Sequence, residues 1–365
     1  MNYSEEDLWR DLAEAFLKVR LGKRNTRDEH NFEVNLFENL MILKEDIVNR
    51  TYSPGRGIAF IIHDPVTREI FAAPFRDRVV HHFIFNHVYE WWDKRFIYDS
   101  YSCRKDKGTL FGIRRLAHHI AQESENYTKE TYIIKLDLQG YFMSLNRKML
   151  FKRAIWGLDR QFPEKGDLYH ILRFLWKQVI FDDPVKTVTM KGKESDWRDL
   201  PASKSLFCQP EGQGIVIGNL TSQLLSNIYL DQLDRFVKFH LGYDHYGRYV
   251  DDFFIVVKKE KLEQAKRDIA VIENFLSSIG LTLHPKKRRI QEMRKGVDFI
   301  GAVVYPHHIV PSKRLMKNFK KAVRGYPNNP NGDAMILSYL GQMKHLNSDK
   351  MIKKVFDEVG WRYEI

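Results

Sequence analysis

The stretch "RYVDDFFIVV", residues 248–257, places two adjacent carboxylates, Asp251 and Asp252, at the start of an apolar strand. Asp is a poor strand former, and burying a carboxylate without a partner is costly. One interpretation is a tight turn between two strands, because Asp favours turns. The alternative is a hairpin whose tip holds a divalent cation, since two neighbouring carboxylates repel each other unless a cation neutralises them.

A third carboxylate follows another apolar strand. In "YIIKLDLQGYF", residues 132–142, Asp137 stands at the C-terminal end of the apolar run. Taken alone, Asp137 is also compatible with a helix N-cap or a turn. Together with the Asp pair it predicts two Mg²⁺ ions that clamp an in-line phosphoryl transfer. Oxygen ligands suit Mg²⁺, and a substrate triphosphate would supply several of them.

The composition is that of a globular protein. The 365 residues are 43% hydrophobic and 29% charged, which allows two or three subdomains with a sizeable core. No stretch approaches the about 18 apolar residues of a membrane span, and the acidic opening "MNYSEEDLWR" does not resemble a secretory signal. Cys103 and Cys208 provide neither a disulfide framework nor a zinc quartet. We therefore expect a reducing, cytoplasmic compartment and no membrane partner.

The charge balance predicts a polyanionic partner. Lys and Arg number 59 against 47 Asp and Glu, which gives a net charge of +12 and a pI near 9.4. Residues 305–365 carry 11 basic and 5 acidic residues, so half of the excess falls in this C-terminal segment. Nucleic acid is the commonest polyanion that basic proteins of this kind bind.

The pattern of apolar residues predicts interleaved helices and strands, and hence an α+β fold. Helices are predicted over residues 4–20, 31–49, 77–95 and 259–280, and over most of the last sixty residues around a loop at "GYPNNPNGD". Strands are predicted in "GIAFIIHD" and "REIFAAPF" around a turn at Asp64-Pro65, and in "TYIIKLDLQGYF", "LTLHP" and "VDFIGAVVYP".

Several segments, in this order, resemble those of a reverse transcriptase. "YVDD" after an upstream "DLQGYF", with "GIVIGNLTSQ" between them, is similar to the palm of these enzymes. Further segments match in order: "REIFAAPFRDRVVHHFI" in the fingers, "DSYSCRKDKGT" at the template, "LTLHPKKRRI" late in the palm and "FIGAVV" at the primer grip. The resemblance covers roughly residues 55–305.

The resemblance implies a right-hand polymerase with three parts. Residues 1–55 would form an N-terminal helical extension, residues 56–305 the fingers and palm, and residues 306–365 a short, basic helical thumb. It also implies an RNA-directed DNA polymerase, encoded by a bacterium or phage, that uses two Mg²⁺ ions. Its partners would be template RNA, the primer and cDNA duplex, and deoxynucleoside triphosphates.

The resemblance also implies which residues carry the chemistry. The implied metal ligands are Asp137, Leu138, Asp251 and Asp252, and the three Asp residues are also the implied catalytic residues. Lys287 matches the late-palm Lys that would neutralise or protonate the departing pyrophosphate, and Lys286 is an equal candidate from the sequence.

A second set of residues would bind the nucleotide and the template. It comprises Arg68, Leu138, Phe142, Ile217, Gly218 and Gln223. Arg68 matches the Arg that clamps the triphosphate, for which a planar donor fork is suited. Phe142 matches the aromatic gate beneath the sugar C2′, although an ordinary core Phe remains an alternative. Arg76 and Arg78 are expected to pair with acids or with the template backbone instead.

The segment "IGNLTSQ", residues 217–223, points to a subfamily. Retroviral and group II intron enzymes typically have Gln before the glycine and Pro after the serine, whereas this chain has Ile217 and Gln223. This resembles the reverse transcriptases of diversity-generating retroelements, which make frequent errors opposite template adenine. A Gln can hydrogen-bond the nascent pair and an Ile cannot, although a packing change without consequence is the alternative.

This subfamily implies two further partners, a small helical accessory protein and a structured retroelement RNA. Two alternatives stay open at this point. One is a reverse transcriptase of the retron or phage-defence kind, and the other is a non-catalytic RNA-binding protein on a polymerase fold.

Overall fold

The computed structural model describes residues 3–21, 26–63, 66–326 and 329–361. The chain divides into two compact units. Unit one comprises residues 1–97, 138–233 and 273–283, and unit two comprises residues 98–137, 234–272 and 284–365. Both units combine helices with strands, and the predicted α+β class is confirmed. None of the helices in the described ranges is both long and apolar enough to cross a bilayer.

Groups of helices and groups of strands are interleaved along the chain. The α-helices are α1 Glu5–Arg20, α2 Arg27–Val34, α3 Leu36–Val48, α4 Phe75–Asp93, α5 Thr109–Glu123, α6 Tyr141–Ser144, α7 Arg147–Gln161, α8 Asp167–Phe181, α9 Leu220–Arg235, α10 Leu262–Ser278, α11 Lys313–Gly325, α12 Gly332–Met343 and α13 Asp349–Asp357. The strands are β1 Ile58–Ile62, β2 Arg68–Ala72, β3 Thr131–Asp137, β4 Thr189–Met190, β5 Tyr246–Tyr249, β6 Asp252–Lys258, β7 Arg289–Glu292, β8 Val297–Phe299, β9 Ala302–Val304 and β10 Ile309–Pro311.

The N-terminal helices follow the predicted pattern only in part. Helix α1 begins as predicted, because the Ser4 hydroxyl accepts a hydrogen bond from the Asp7 backbone N–H at 3.1 Å and closes a capping box. The prediction of one helix over residues 31–49 is wrong. The chain forms α2 and α3 instead, because Asn35, a poor helix former, leaves the helical region at φ −117° and ψ 43°.

A three-stranded sheet in unit one contains the predicted hairpin. Strands β1 and β2 pair antiparallel, from Ile58 opposite Ala72 to Ile62 opposite Arg68. The predicted turn at Asp64-Pro65 lies outside the described residues. Strand β4 adds to the other edge of β1 in a parallel pairing, and the sequence did not predict it.

The main sheet of unit two has four antiparallel strands in the order β5-β6-β3-β7. Its register places Asp137 directly opposite Asp252. The predicted strand "LTLHP" is wrong, because only Leu283 forms an isolated bridge, to Leu138, and Pro285 has no N–H to donate. On the edge of β3 opposite to β6, the neighbouring strand is β7, which begins four residues after this proline.

The C-terminal part of unit two is built from short strands and three helices. The predicted strand "VDFIGAVVYP" is two strands, β8 and β9, because Ile300 and Gly301 turn the chain with φ angles of 41° and 95°. The predicted helices follow as α11, α12 and α13 around an apolar cluster. Part of the predicted loop "GYPNNPNGD" lies outside the described residues, since 327–328 are not described.

Candidate active site

The Asp pair stands at the tip of the hairpin formed by β5 and β6. Tyr249 pairs with Asp252, so Val250 and Asp251 alone form the turn. Val250 has φ +55°, a left-handed conformation that a β-branched residue adopts only under strain. A positive φ at the first turn position matches the right-handed twist of the two strands. The turn therefore fixes where the two carboxylates project.

A buried ion pair holds this turn. The Arg248 guanidinium donates from Nε and Nη2 to the two oxygens of Asp234, each at 2.7 Å, and both side chains are fully buried. Arg248 Nη1 donates to the Val250 carbonyl at 2.9 Å, and the Tyr246 hydroxyl donates to Asp234 at 2.6 Å. Arg248 was not among the site residues predicted from the sequence. An arginine within an otherwise apolar strand was the available signal.

Asp137 ends β3 beside one of the two candidate lysines. The Lys287 ammonium contacts both carboxylate oxygens of Asp137, at 3.0 and 2.9 Å. The Asp137 carbonyl accepts a hydrogen bond from the His284 backbone N–H at 2.7 Å, which keeps the two segments together. Of Lys286 and Lys287, therefore, Lys287 is the residue whose ammonium group lies at the carboxylate. Its side chain remains 57% exposed.

Asp252 is held by a lysine that the sequence analysis did not identify. Lys135 lies two residues before Asp137 on the same face of β3, and its ammonium contacts Asp252 Oδ2 at 3.0 Å. The same ammonium donates to the Asp298 carbonyl in β8 at 2.9 Å. Burial raises the pKa of Asp252 to about 6, and Asp137 and Asp251 raise it as well, whereas Lys135 opposes them.

The carboxylates fit a divalent cation as part of a coordination shell. Asp252 Oδ1 is buried and has no hydrogen-bond partner among the described residues, so one hard oxygen is available for a cation. Over the described ranges, no three His, Cys, Asp or Glu side chains lie close enough together to hold a metal ion by themselves. Oxygens of a substrate would therefore have to complete the shell around Asp137, Asp251 and Asp252.

The predicted nucleotide-binding residues belong to unit one. Arg68 begins β2 with its side chain exposed. The Phe71 backbone N–H, three residues on, donates to the Ile217 carbonyl at 2.9 Å. Gly218 has φ +134°, and a Cβ there would lie 2.5 Å from the Phe71 carbonyl oxygen, so only glycine fits. The structure thus attaches Ile217 and Gly218 directly to the strand that carries Arg68.

An apolar cluster supports two of these residues. The fingers cluster consists of Ala59, Phe71, Met143 and Leu206. The half-buried side chains of Phe142 and Ile217 pack against it, so the structure places these two on one common support. Leu138 is buried, whereas Gln223 on α9 is exposed.

The two other arginines of the fingers segment have partners within unit one. Arg76 contacts Asp46 at 2.5 Å, and Arg78 Nε donates to the Ala73 carbonyl at 2.8 Å. Arg76 therefore pairs with an acid, which is the first of the two roles expected for it.

A half-buried carboxylate at the C-terminal end of α8, Asp182, is expected to make the stability of the protein depend on pH. Burial raises the pKa of Asp182 from its ordinary 3.8 to about 6, and the charge of Asp77 adds to the effect. The folded state therefore retains a proton that the unfolded chain releases, so the free energy of unfolding falls as pH rises from 4 to 6.

Asp182→Asn is expected to raise the free energy of unfolding at pH 8 by about 1–2 kcal/mol, allowing for partial exposure, and to leave it nearly unchanged near pH 4. Urea unfolding at several pH values measures both. Asp183→Asn is the matched control, because it makes the same charge change at a residue that pairs with Lys186 at 3.0 Å near the surface. An equal gain from both variants at every pH would contradict the prediction.

A family model matches most of this chain, and two known proteins are similar to it. The family model described as reverse transcriptase (RNA-dependent DNA polymerase) matches residues 67–304. Protein YkfC of Escherichia coli (strain K12) is 23% identical over 307 residues, which cover 74% of this chain and 72% of YkfC. The structure of telomerase from Candida tropicalis in complex with a telomeric RNA fragment aligns with a TM-score of 0.49 and 12% identity. That alignment covers 88% of this chain, and the chain spans 58% of the telomerase chain.

Proposed function

We propose, from the premise that this chain belongs to the reverse transcriptase (RNA-dependent DNA polymerase) family, that its RNA-directed DNA synthesis depends on Asp137, Asp251 and Asp252. The observation that carries the proposal is the register of the main sheet, which sets Asp137 directly opposite Asp252 at the hairpin tip. Two Mg²⁺ ions, when bound by these carboxylates, would neutralise the attacking and departing oxygens of phosphoryl transfer.

The side chains of this enzyme contribute charge at defined positions. We assign Lys287 to the departing pyrophosphate, because its ammonium is exposed and already lies at a catalytic carboxylate. Arg68 presents an exposed guanidinium fork for the oxygens of the incoming triphosphate. Leu138 directly follows the first catalytic Asp, and we assign it to contacts with the metal and with the nucleotide.

We assign Phe142 to the contact with the sugar of the nucleotide. This ring is half-buried and packs against the fingers cluster, so the surrounding side chains limit how far it can move. A ring held in this way excludes a ribose 2′-hydroxyl by steric overlap and thereby favours deoxynucleotides.

We assign binding of the template and primer duplex to the basic face of one helix, α11. On α11 the apolar side chains Met316, Phe319, Ala322 and Val323 are buried, and the basic side chains Lys313, Arg314, Lys317, Lys321 and Arg324 are exposed. A helix with this division keeps its basic face available for phosphate groups, which bind with a strong dependence on salt.

Primer extension on an RNA template tests the polymerase assignment. The purified chain is expected to extend a DNA primer with deoxynucleotides and Mg²⁺ and to stop when a chelator is added. RNA binding without extension under these conditions would favour the non-catalytic alternative.

The subtype that we propose is the diversity-generating retroelement enzyme, with mutagenic copying of template adenines. Support comes from Ile217 and Gln223 in the segment before and within α9. The Ile217 carbonyl accepts a hydrogen bond from the Phe71 N–H, and this bond fixes the backbone position from which the Ile217 side chain extends. A small helical accessory protein and a structured retroelement RNA belong to this proposal.

Ile217→Gln is expected to lower misincorporation opposite template adenine by a few-fold to about tenfold, because the amide restores about one hydrogen bond of discrimination. Sequencing of complementary DNA made by both enzymes on one template measures the error spectrum. Ile217→Leu is the matched control and should keep the wild-type spectrum. Identical spectra for all three enzymes, or no excess at adenine in wild type, would favour the retron or phage-defence alternative.

A further inference from the structure

A segment with no predicted role forms part of the three-stranded sheet of unit one. The bridging segment, residues 184–208, lies between α8 and α9 and contributes β4. It attaches to β1 through hydrogen bonds from the Thr189 N–H to the Gly57 carbonyl at 2.9 Å and from the Lys191 N–H to the Ala59 carbonyl at 2.8 Å. The segment therefore extends the sheet that contains Arg68.

The strongest contact of the bridging segment is to a buried carboxylate. Glu69 is fully buried and accepts three hydrogen bonds, all from this segment: from Trp197 Nε1 at 2.9 Å, Ser205 Oγ at 2.9 Å and the Leu206 N–H at 2.6 Å. Within the described ranges these three neutral donors are the hydrogen-bond partners of its two oxygens. A buried carboxylate is tolerated only when its oxygens are satisfied in this way.

The geometry of β2 connects this anchor to the nucleotide-binding residues. Adjacent residues of a strand face opposite sides, so Glu69 points into the protein while Arg68 is exposed. Two residues on, the Phe71 ring lies 5.7 Å from the Phe207 ring of the bridging segment, and the Phe71 N–H donates to Ile217. One strand thus joins the bridging segment to Arg68 and Ile217.

We infer that Glu69 is a positioning residue that acts through β2, and that its hydrogen bonds with the bridging segment set the place of Arg68 for the incoming triphosphate. The inference rests on the proposed role of Arg68 in nucleotide binding. It makes the bridging segment a determinant of nucleotide affinity although none of its residues is assigned to touch the nucleotide. A merely structural anchor would instead change stability and leave the KM for nucleotide unaltered.

Trp197→Phe tests the inference, because it removes the Nε1–H donor and keeps an aromatic ring beside the fingers cluster. The expected result in primer extension is a rise of about three- to tenfold in the KM for deoxynucleotide, with kcat within about twofold of wild type. Ser205→Ala removes a second donor with less loss of packing and is expected to act in the same direction. Trp91→Phe, on α4, is the matched control and should leave both constants unchanged.

Arg68→Ala in the same assay separates the inference from the function on which it rests. If Arg68→Ala raises the KM and neither Trp197→Phe nor Ser205→Ala does, the inference is overturned and the role of Arg68 stands. If Arg68→Ala leaves the KM unchanged, that role and the inference fail together while the polymerase assignment remains. A Trp197→Phe, Arg68→Ala double variant is expected to have the KM of Arg68→Ala alone, because both changes act on one contact, and additive effects would overturn the inference.

Discussion

Asp252→Asn is expected to lower the single-turnover rate of DNA synthesis on an RNA template by about a thousandfold or more. Asn keeps the shape of the side chain and an oxygen that can accept from Lys135, so the loss reports on charge rather than on packing. The substitution removes the negative charge that the carboxylate shares between its two oxygens, one of which is the buried Oδ1 without a partner among the described residues. Primer extension in a rapid-quench instrument measures the rate, and fluorescence anisotropy measures RNA affinity.

RNA affinity should change little in Asp252→Asn, because most phosphate contacts are assigned to the basic face of α11. Asp298→Asn is the matched control, since it removes a carboxylate from an exposed residue of β8 whose carbonyl, rather than side chain, contacts Lys135. It should retain activity close to wild type. Full activity in a variant with both Asp251 and Asp252 replaced by Asn would exclude these carboxylates from catalysis.

Arg248→Met is expected to lower the free energy of unfolding by about 3–5 kcal/mol, because it leaves the Asp234 carboxylate buried without its cationic partner. Met preserves much of the length of the arginine stem, so little of the effect comes from lost volume. Urea unfolding followed by circular dichroism measures the change.

A second substitution provides the control for Arg248→Met. Replacing Asp234 by Leu in the same chain removes the unpaired charge and should restore part of the lost stability, although the Tyr246 hydroxyl then lacks its acceptor. If the unfolding free energy of Arg248→Met lies within about 1 kcal/mol of the wild-type value, the buried pair contributes little. A difference of that size is typical of the loss of an exposed ion pair.

The parts of the fold that the sequence predicted are those with a local pattern of apolar residues. The continuous apolar runs in β3 and β6 placed Asp137 and Asp252 at strand ends, and the 3.6-residue pattern placed α1. The break at Asn35 and the absence of a strand over residues 281–285 were missed because both patterns are apolar enough to continue. Only the backbone conformation of one residue, or the missing N–H of one proline, ended them.

The residues that support the site were harder to find, because their partners are distant in sequence. Glu69 and Trp197 are 128 positions apart, and Lys135 and Asp298 are 163 apart, so no local spacing connects them. Lys135 nevertheless carried a usable signal: a charged side chain two residues before Asp137 must share its face of the strand. The role of each residue in catalysis remains a prediction, since the fold locates these residues without testing them.

The direct opposition of Asp137 and Asp252 restricts how this protein can diverge in length. Side chains of a strand alternate with a period of two, so one inserted or deleted residue within β3 or β6 would turn every later side chain to the opposite face. A carboxylate would then enter the apolar layer, and an apolar side chain would take its place. Evolution can exchange residue types along these two strands, but insertions and deletions have to fall outside them.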